Sequence, residues 1–229
     1  MKSETYNADC LDLMRRWPDS KFDLAVVDPP YFSGPERRRF YGSKYSSKGI
    51  KRVDYPVSKN WTVPGKEYFD ELIRISKHQI VWGCNYYQYQ FGPGRIIWDK
   101  VNGESTFSDC EEAFCSFHDS IRLFRFMWNG AMQGKSALNG HIMQGNKTKN
   151  EKRIHPTQKP VELYRWIFNK YTAPGMSVLD THLGSGSSRI AAHDAGLQFT
   201  GIEIDPVHFK NQEKRFIQHT DQLLLKLKY

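Results

Sequence analysis

The segment 176–196, MSVLDTHLGSGSSRIAAHDAG, constrains the fold more than any other: an apolar run ends in an acid, a glycine turn follows, and a helical pattern begins at once. Strand, glycine loop and helix in direct succession make a βα unit, whose glycines let the backbone approach a ligand at the carboxyl end of a parallel strand. A second strand, FTGIEID (199–205), and a helix from about Val207 to His219 come next. Asp180 closes the first strand and Glu203 the second, where a carboxylate can accept hydrogen bonds from both hydroxyls of a ribose. Arg189 stands where a dinucleotide fingerprint would carry its third glycine. A plainer reading stays open for each: Gly184 and Gly186 merely turn the chain, Asp180 caps that turn, and Glu203 faces solvent.

The chain's 229 residues suffice for one substantial core, and a single domain over 1–229 is expected. Helical patterns fall at LDLMRRW (11–17), KEYFDELIRISK (66–77) and PVELYRWIFNKYT (160–172), the last closed by Ala173-Pro174-Gly175. Strand patterns fall at FDLAVVD (22–28), HQIVWG (78–83), RIIWDK (95–100), EEAFCSF (111–117) and SIRLFRFMW (120–128). Helices alternating with strands predict an α/β fold around a mostly parallel sheet.

The strand FDLAVVD runs directly into Pro29-Pro30-Tyr31. Two prolines fix φ and remove two backbone donors, leaving carbonyls unpaired at a rigid stop. An exocyclic amino group of a nucleic-acid base is a poor nucleophile until acceptors hold its N–H groups. The Asp28 carboxylate and the Pro29 carbonyl are such acceptors, and Tyr31 offers a face on which an extruded base can stack. Both adenine and cytosine amino groups would satisfy them. The plain alternative is a proline turn beside a buried tyrosine.

The formal charge of +8 favours a polyanionic partner. Residues 33–62 form a basic loop carrying Arg37, Arg38, Arg39, Lys44, Lys48, Lys51 and Arg52 among Phe40, Tyr41, Tyr45, Tyr55 and Trp61, a composition suited to phosphates and bases. Charge runs are also commonly just solvated surface. A second, smaller insertion of glycine, asparagine and lysine spans 129–153. Cys10, Cys84, Cys110 and Cys115 are scattered; Cys110, Cys115 and His118 lack the paired spacing of a zinc site, so no metal is expected. With no apolar leader or membrane-length segment, a cytoplasmic protein is expected.

Taken together, these motifs resemble the β group of DNA amino-methyltransferases, whose catalytic motif precedes the cofactor motif in the chain. Asp28-Pro29-Pro30-Tyr31 matches that family's DPPY, and Asp180 to Ser187 resembles its DPFxGSGT loop, with Thr181 and His182 in place of proline and phenylalanine. His155-Pro156-Thr157-Gln158-Lys159-Pro160 looks like its HPTQKP element, Asn7-Ala8-Asp9-Cys10 like the element bordering the cofactor adenine, and VWGCNYY with IIWDK like small, often phage-borne members. The resemblance implies a Rossmann-like fold with circularly permuted motif order and S-adenosylmethionine as cofactor. It implies catalytic roles for Asp28, Pro29, Pro30 and Tyr31. Cofactor contacts would fall to Asp9, Cys10, Asp28, His155, Thr157, Lys159, Asp180, His182, Gly184, Ser185, Gly186, Ser187, Glu203 and Ile204. The expected activity is methylation of adenine N6 on a base flipped from duplex DNA, by a bacterial or phage monomer or homodimer of the restriction-modification kind. Alternatives are cytosine N4, an RNA amino group, or a non-catalytic DNA-binding relative.

Overall fold

The computed structural model describes residues 2–31, 61–102, 108–129, 132–134 and 150–226. In chain order the elements are β1 (Ser3–Tyr6), α1 (Cys10–Met14), β2 (Phe22–Val27), α2 (Lys66–Ile75), β3 (Ser76–Trp82), a 3-10 turn (Cys84–Tyr86), β4 (Arg95–Asp99), β5 (Cys110–Cys115), β6 (Ile121–Arg125), β7 (Met127–Asn129), β8 (Met132–Gly134), α3 (Val161–Tyr171), β9 (Ser177–Asp180), α4 (Ser187–Asp194), β10 (Gln198–Ile202) and α5 (Pro206–Lys226).

Eight strands form one sheet in the order β1-β10-β9-β2-β3-β5-β4-β6, and β7 pairs with β8 in a separate antiparallel ribbon. All neighbours in the large sheet run parallel except β5, which is antiparallel to both β3 and β4. The central strand β2 shows why its sequence is nearly all apolar: both faces are covered. Leu24 and Val26 pack under α3 and α4 with Leu163, Ile167, Ile190 and Ala191. Ala25 and Val27 face the other way, toward Met14 of α1 and Phe69 and Leu72 of α2.

The connections place the site. From β2 the chain crosses by α2 to β3 on one side; from β9 it crosses by α4 to β10 on the other, with the two helices on opposite faces. Strand order thus reverses between β2 and β9, and the carboxyl ends there border a crevice that no crossover among the described residues fills.

Several sequence expectations shift. The polar Ser3–Tyr6 was not expected as a strand, yet it pairs with β10 at the sheet edge. Helix α2 stops at Ile75 and β3 begins at the next residue, with Ser76 Oγ donating back to the Leu72 carbonyl at 2.5 Å. The expected strand 120–128 breaks at Phe126, whose amide donates to the Asp99 carbonyl, and its halves enter different sheets. Helix α1 ends at Met14 rather than Trp17, and α5 continues to Lys226. Within the insertion 129–153, residues 132–134 form β8. The lysines and arginines singled out between Arg37 and Arg52 lie outside the described residues.

Candidate functional site

Three adjacent strands deliver the site: β2 ends at Val27 before Asp28, β9 at Asp180 before the glycine turn, and β10 at Ile202 before Glu203. Gly184 and Gly186 both have positive φ, +50° and +74°, so L side chains there would strain the turn that starts α4. The Glu203 carboxylate ties this turn to β10, accepting from the Gly184 amide at 2.8 Å and the Asp205 amide at 2.9 Å. Burial raises its pKa. Asn7 clamps the same loop, donating to the carbonyls of Glu203 (2.7 Å) and Ile204 (3.1 Å).

Asp28 sits at the end of a buried chain of alternating charge. Its Oδ2 pairs with Lys159 Nζ; Lys159 also reaches Glu111 Oε2 at 3.0 Å, and Glu111 Oε1 holds Lys100 at 2.5 Å. The Lys159 ammonium lies 5.5 Å from the Trp82 ring centre, and its side chain is only 4% exposed. Burial pushes the Asp28 carboxyl up; Lys159 pulls it down without cancelling that rise, to which Glu111 adds, so the carboxyl sits above its usual range. Burial acts on Glu111 as well, but Lys159 and Lys100 together outweigh it and hold that carboxyl down at about 2. One carboxylate has two cations and the other shares one. Asp28 Oδ1 is buried with no hydrogen-bond partner among the described residues, a costly state for an acceptor.

The rest of the proline turn is tightly held. The Tyr87 hydroxyl donates to the Pro29 carbonyl at 2.7 Å, so one of that oxygen's two acceptor directions is already taken. Tyr31 stacks on Tyr86 with ring centres 4.7 Å apart and planes 7° from parallel. Gly83, with φ +70°, makes room for it: a Cβ there would lie 2.4 Å from Tyr31 Cδ1.

Glu151 anchors the HPTQKP loop across from these groups. It accepts from the Val161 amide at the start of α3 (2.9 Å), Gln158 Nε2 (2.8 Å) and Arg215 of α5 (2.6 Å). Trp128 Nε1 donates to the Gln158 carbonyl at 2.8 Å. Burial, with smaller effects from His208 and Lys159, lowers His155 to about 3; burial lowers His182 to about 4, so both rings are neutral at ordinary pH.

These elements enclose a cleft of about 770 Å³ of empty space, part of it open to solvent. Of the residues singled out in the sequence, Asp28, Pro29, Pro30, Tyr31, His155, Thr157, Lys159, His182, Gly184, Ser185, Glu203 and Ile204 line it. Asp9, Cys10, Asp180, Gly186 and Ser187 stand outside that lining. Asp9 accepts from the Leu11 amide as the cap of α1. Asp180 accepts from Ser188 Oγ (2.5 Å) and the His182 amide (3.0 Å), and burial raises its pKa to about 7. Ser187 hydroxyl contacts Ser185 and Arg215 instead.

Of the other lining residues, Trp61 was named only among the loop aromatics, Gln158, Tyr164, Leu183, Asp205 and His208 were given no role, and Glu111, Lys100, Tyr87 and Glu151 behind the lining were missed. Trp61 and Gln158 lay inside segments already singled out, but Glu111 and Tyr87 carried no signal apart from their fold neighbours. Cys110 and Cys115 lie at opposite ends of β5, and His118 pairs with the Tyr171 hydroxyl at 2.9 Å.

Residues 139–214 match the family described as DNA methylase, of the N6/N4 type. Over that segment the chain is similar to the N6/N4 DNA methylases. The match covers the HPTQKP loop, the glycine turn and Glu203, and leaves the Asp28 turn outside it. Type II methyltransferase M.HinfI of Haemophilus influenzae is 23% identical over 90% of the chain, which spans 66% of that relative's length. Among solved structures, the M1.HpyAVI–SAM complex superposes with a TM-score of 0.53 at 19% identity, over 93% of this chain and 98% of the other. The cytosine-N4-specific PvuII DNA methyltransferase does so with a TM-score of 0.55 at 14% identity, over 96% and 91%. The α/β sheet described above is therefore the fold of these methyltransferases. Among the described residues no helix is long and apolar enough to cross a membrane.

Proposed function

We propose that the protein transfers a methyl group from S-adenosylmethionine to the N6 amino group of an adenine flipped out of duplex DNA. The observation that carries this reading is the Asp28 carboxylate, which lines the cleft with one oxygen paired to Lys159 and the other buried and unpartnered. An amino group bearing two N–H donors supplies what that oxygen lacks.

The cleft suits the cofactor by its own features. A Cβ on Gly184 would have its nearest neighbour, the His155 ring, at 3.8 Å, so the glycine keeps the space beside the turn clear. Glu203 would hold the ribose hydroxyls through the acceptor directions that its amide bonds leave free, and the half-exposed Ile204 and the His182 ring offer flat contact. When bound, S-adenosylmethionine supplies an electrophilic sulfonium methyl.

The chain's own part is to prepare the nucleophile. Asp28 Oδ1 accepts one N–H of the amino group and the Pro29 carbonyl, through its second acceptor direction, takes the other, which draws the nitrogen toward tetrahedral geometry; once methylated, the nitrogen would release one proton to water. Tyr31, braced by Tyr86 and Gly83, supports the base by stacking, a contact worth roughly 1–3 kcal/mol per base, similar to the cost of unstacking it. Adenine rather than cytosine follows from the aspartate at the first position of the proline motif and rests on family resemblance. In chain order the proline turn precedes the glycine turn, as in the permuted β group.

Arg37, Arg38, Arg39, Lys44, Lys48, Lys51 and Arg52, in the loop that follows Tyr31, are assigned to the DNA phosphates. With so little recognition surface, a short target is expected, read by a monomer or homodimer. A direct test supplies tritiated methyl donor with duplex DNA and RNA in competition. Label in DNA supports the reading; label confined to RNA, or in neither, refutes it.

A further inference from the structure

Lys159 belongs to the HPTQKP element, and resemblance alone would make it a cofactor contact. The structure gives it other work. Its ammonium is almost fully enclosed and is divided between Asp28 on the loop after β2 and Glu111 on β5, above the Trp82 ring of β3. A buried cation shared by two carboxylates has no spare charge for a third.

We infer that Lys159 is a positioning residue: with Glu111 and Lys100 behind it, it occupies Asp28 Oδ2, fixes the carboxylate's rotation and keeps it ionised, so that Oδ1 alone is offered to the amino group. The inference rests on the proposed methyl transfer and says how the acceptor is prepared. The geometry excludes a loose arrangement. Lys100 holds Glu111, Glu111 draws on Lys159, and Lys159 holds Asp28, each link within ion-pair distance and each side chain about a fifth exposed or less. An ionised Asp28 accepts only; a protonated one would present a donor to an amino group that also donates, and the contact would fail.

The other groups that bear on Asp28 are Tyr87 after the 3-10 turn, Tyr164 of α3 and Asp180 at the end of β9. Burial holds both tyrosines neutral, and the Asp28 charge adds to the rise that burial gives Asp180. Among the described residues Lys159 is thus the nearest cation able to favour ionised Asp28, with Lys100 a more distant contributor.

Lys159→Gln and Glu111→Gln separate this role from the alternatives because they act on Asp28 with opposite sign. Removing an opposite charge at contact distance raises a carboxyl pKa by roughly 1–3 pH units. In Lys159→Gln the Asp28 titration, followed by carbon NMR on labelled aspartate, should rise by that amount. The acidic limb of the rate should move up with it, and kcat at neutral pH should fall about 100-fold, partly restored at higher pH. In Glu111→Gln the like charge is gone and Lys159 serves Asp28 alone, so both should move down. Calorimetric affinity for S-adenosylmethionine should stay within a factor of about 3 in each.

A tenfold or larger loss of cofactor affinity in Lys159→Gln with the Asp28 titration unmoved would make the lysine a cofactor ligand and overturn the inference. If Lys159→Gln does not fold, Glu111→Gln decides by its downward shift, and an unmoved or raised titration there overturns it. Should the wild-type protein methylate nothing, the proposed function fails, while the NMR titrations still decide whether Lys159 controls Asp28.

Discussion

The Tyr87 hydroxyl donates to the Pro29 carbonyl at 2.7 Å, from a side chain that packs against Phe69 of α2. This bond fixes the direction in which the carbonyl's remaining acceptor position points, and so couples the helix packing to the proline turn. A hydrogen bond of this kind contributes about 0.5–1.5 kcal/mol. Tyr87→Phe keeps the ring and loses the bond, so kcat for methyl transfer should drop roughly 2- to 10-fold with cofactor affinity unchanged. Steady-state kinetics beside calorimetry checks this; an unaltered kcat would show that the Pro29 carbonyl is held without Tyr87.

Gly83 offers a sharper probe of the base platform proposed at Tyr31. Its positive φ and the 2.4 Å approach of a Cβ to Tyr31 mean that Gly83→Ala must displace the tyrosine ring. Stacking worth roughly 1–3 kcal/mol implies a loss of about 5- to 100-fold in kcat/KM for DNA, with cofactor binding preserved. Equal loss of both would place the damage in the fold rather than at Tyr31.

His182 connects the glycine turn to acid stability. Its pKa is lowered from 6.5 to about 4 by burial, so the fold keeps it neutral where the unfolded chain would protonate it. For a depressed value, stability is fully present above about pH 6.5 and is lost as pH falls toward 4. His155, lowered to about 3, acts in the same direction. His182→Phe removes one of the two. Its melting temperature should fall less than wild type's between about pH 7.5 and about pH 5, by roughly 2–4 °C for each kcal/mol relieved. Parallel melting curves across that range would contradict a neutral, buried His182.

The features legible in the sequence were those the backbone itself demands. Asp28-Pro29-Pro30 and the glycines of 184 and 186 announce a rigid stop and a positive-φ turn whatever surrounds them, and the fold brings both to one crevice. The apolar run of β2 read as a strand, and the fold covers both of its faces. What escaped depended on partners distant in the chain. The polar β1 is a strand because β10 offers it a ladder, and its own pattern carries no apolar alternation. Glu111 and Lys100 read as ordinary strand and turn charges until Lys159, some fifty residues on, is placed between Glu111 and Asp28. Asp180 was the reverse case: a conspicuous motif residue whose bonds to Ser188 and the His182 amide shape the turn from behind the cleft wall.

The proposed preparation of an adenine amino group by Asp28 is tested most directly by the identity of the product. DNA from a methylation-free host expressing the wild-type chain or Asp28→Ala, digested to nucleosides and read by mass spectrometry, should contain N6-methyladenine in the first case and none in the second, while the variant still binds S-adenosylmethionine. N4-methylcytosine in place of N6-methyladenine would contradict the assigned base, and modification persisting in Asp28→Ala would contradict the assigned role of the carboxylate.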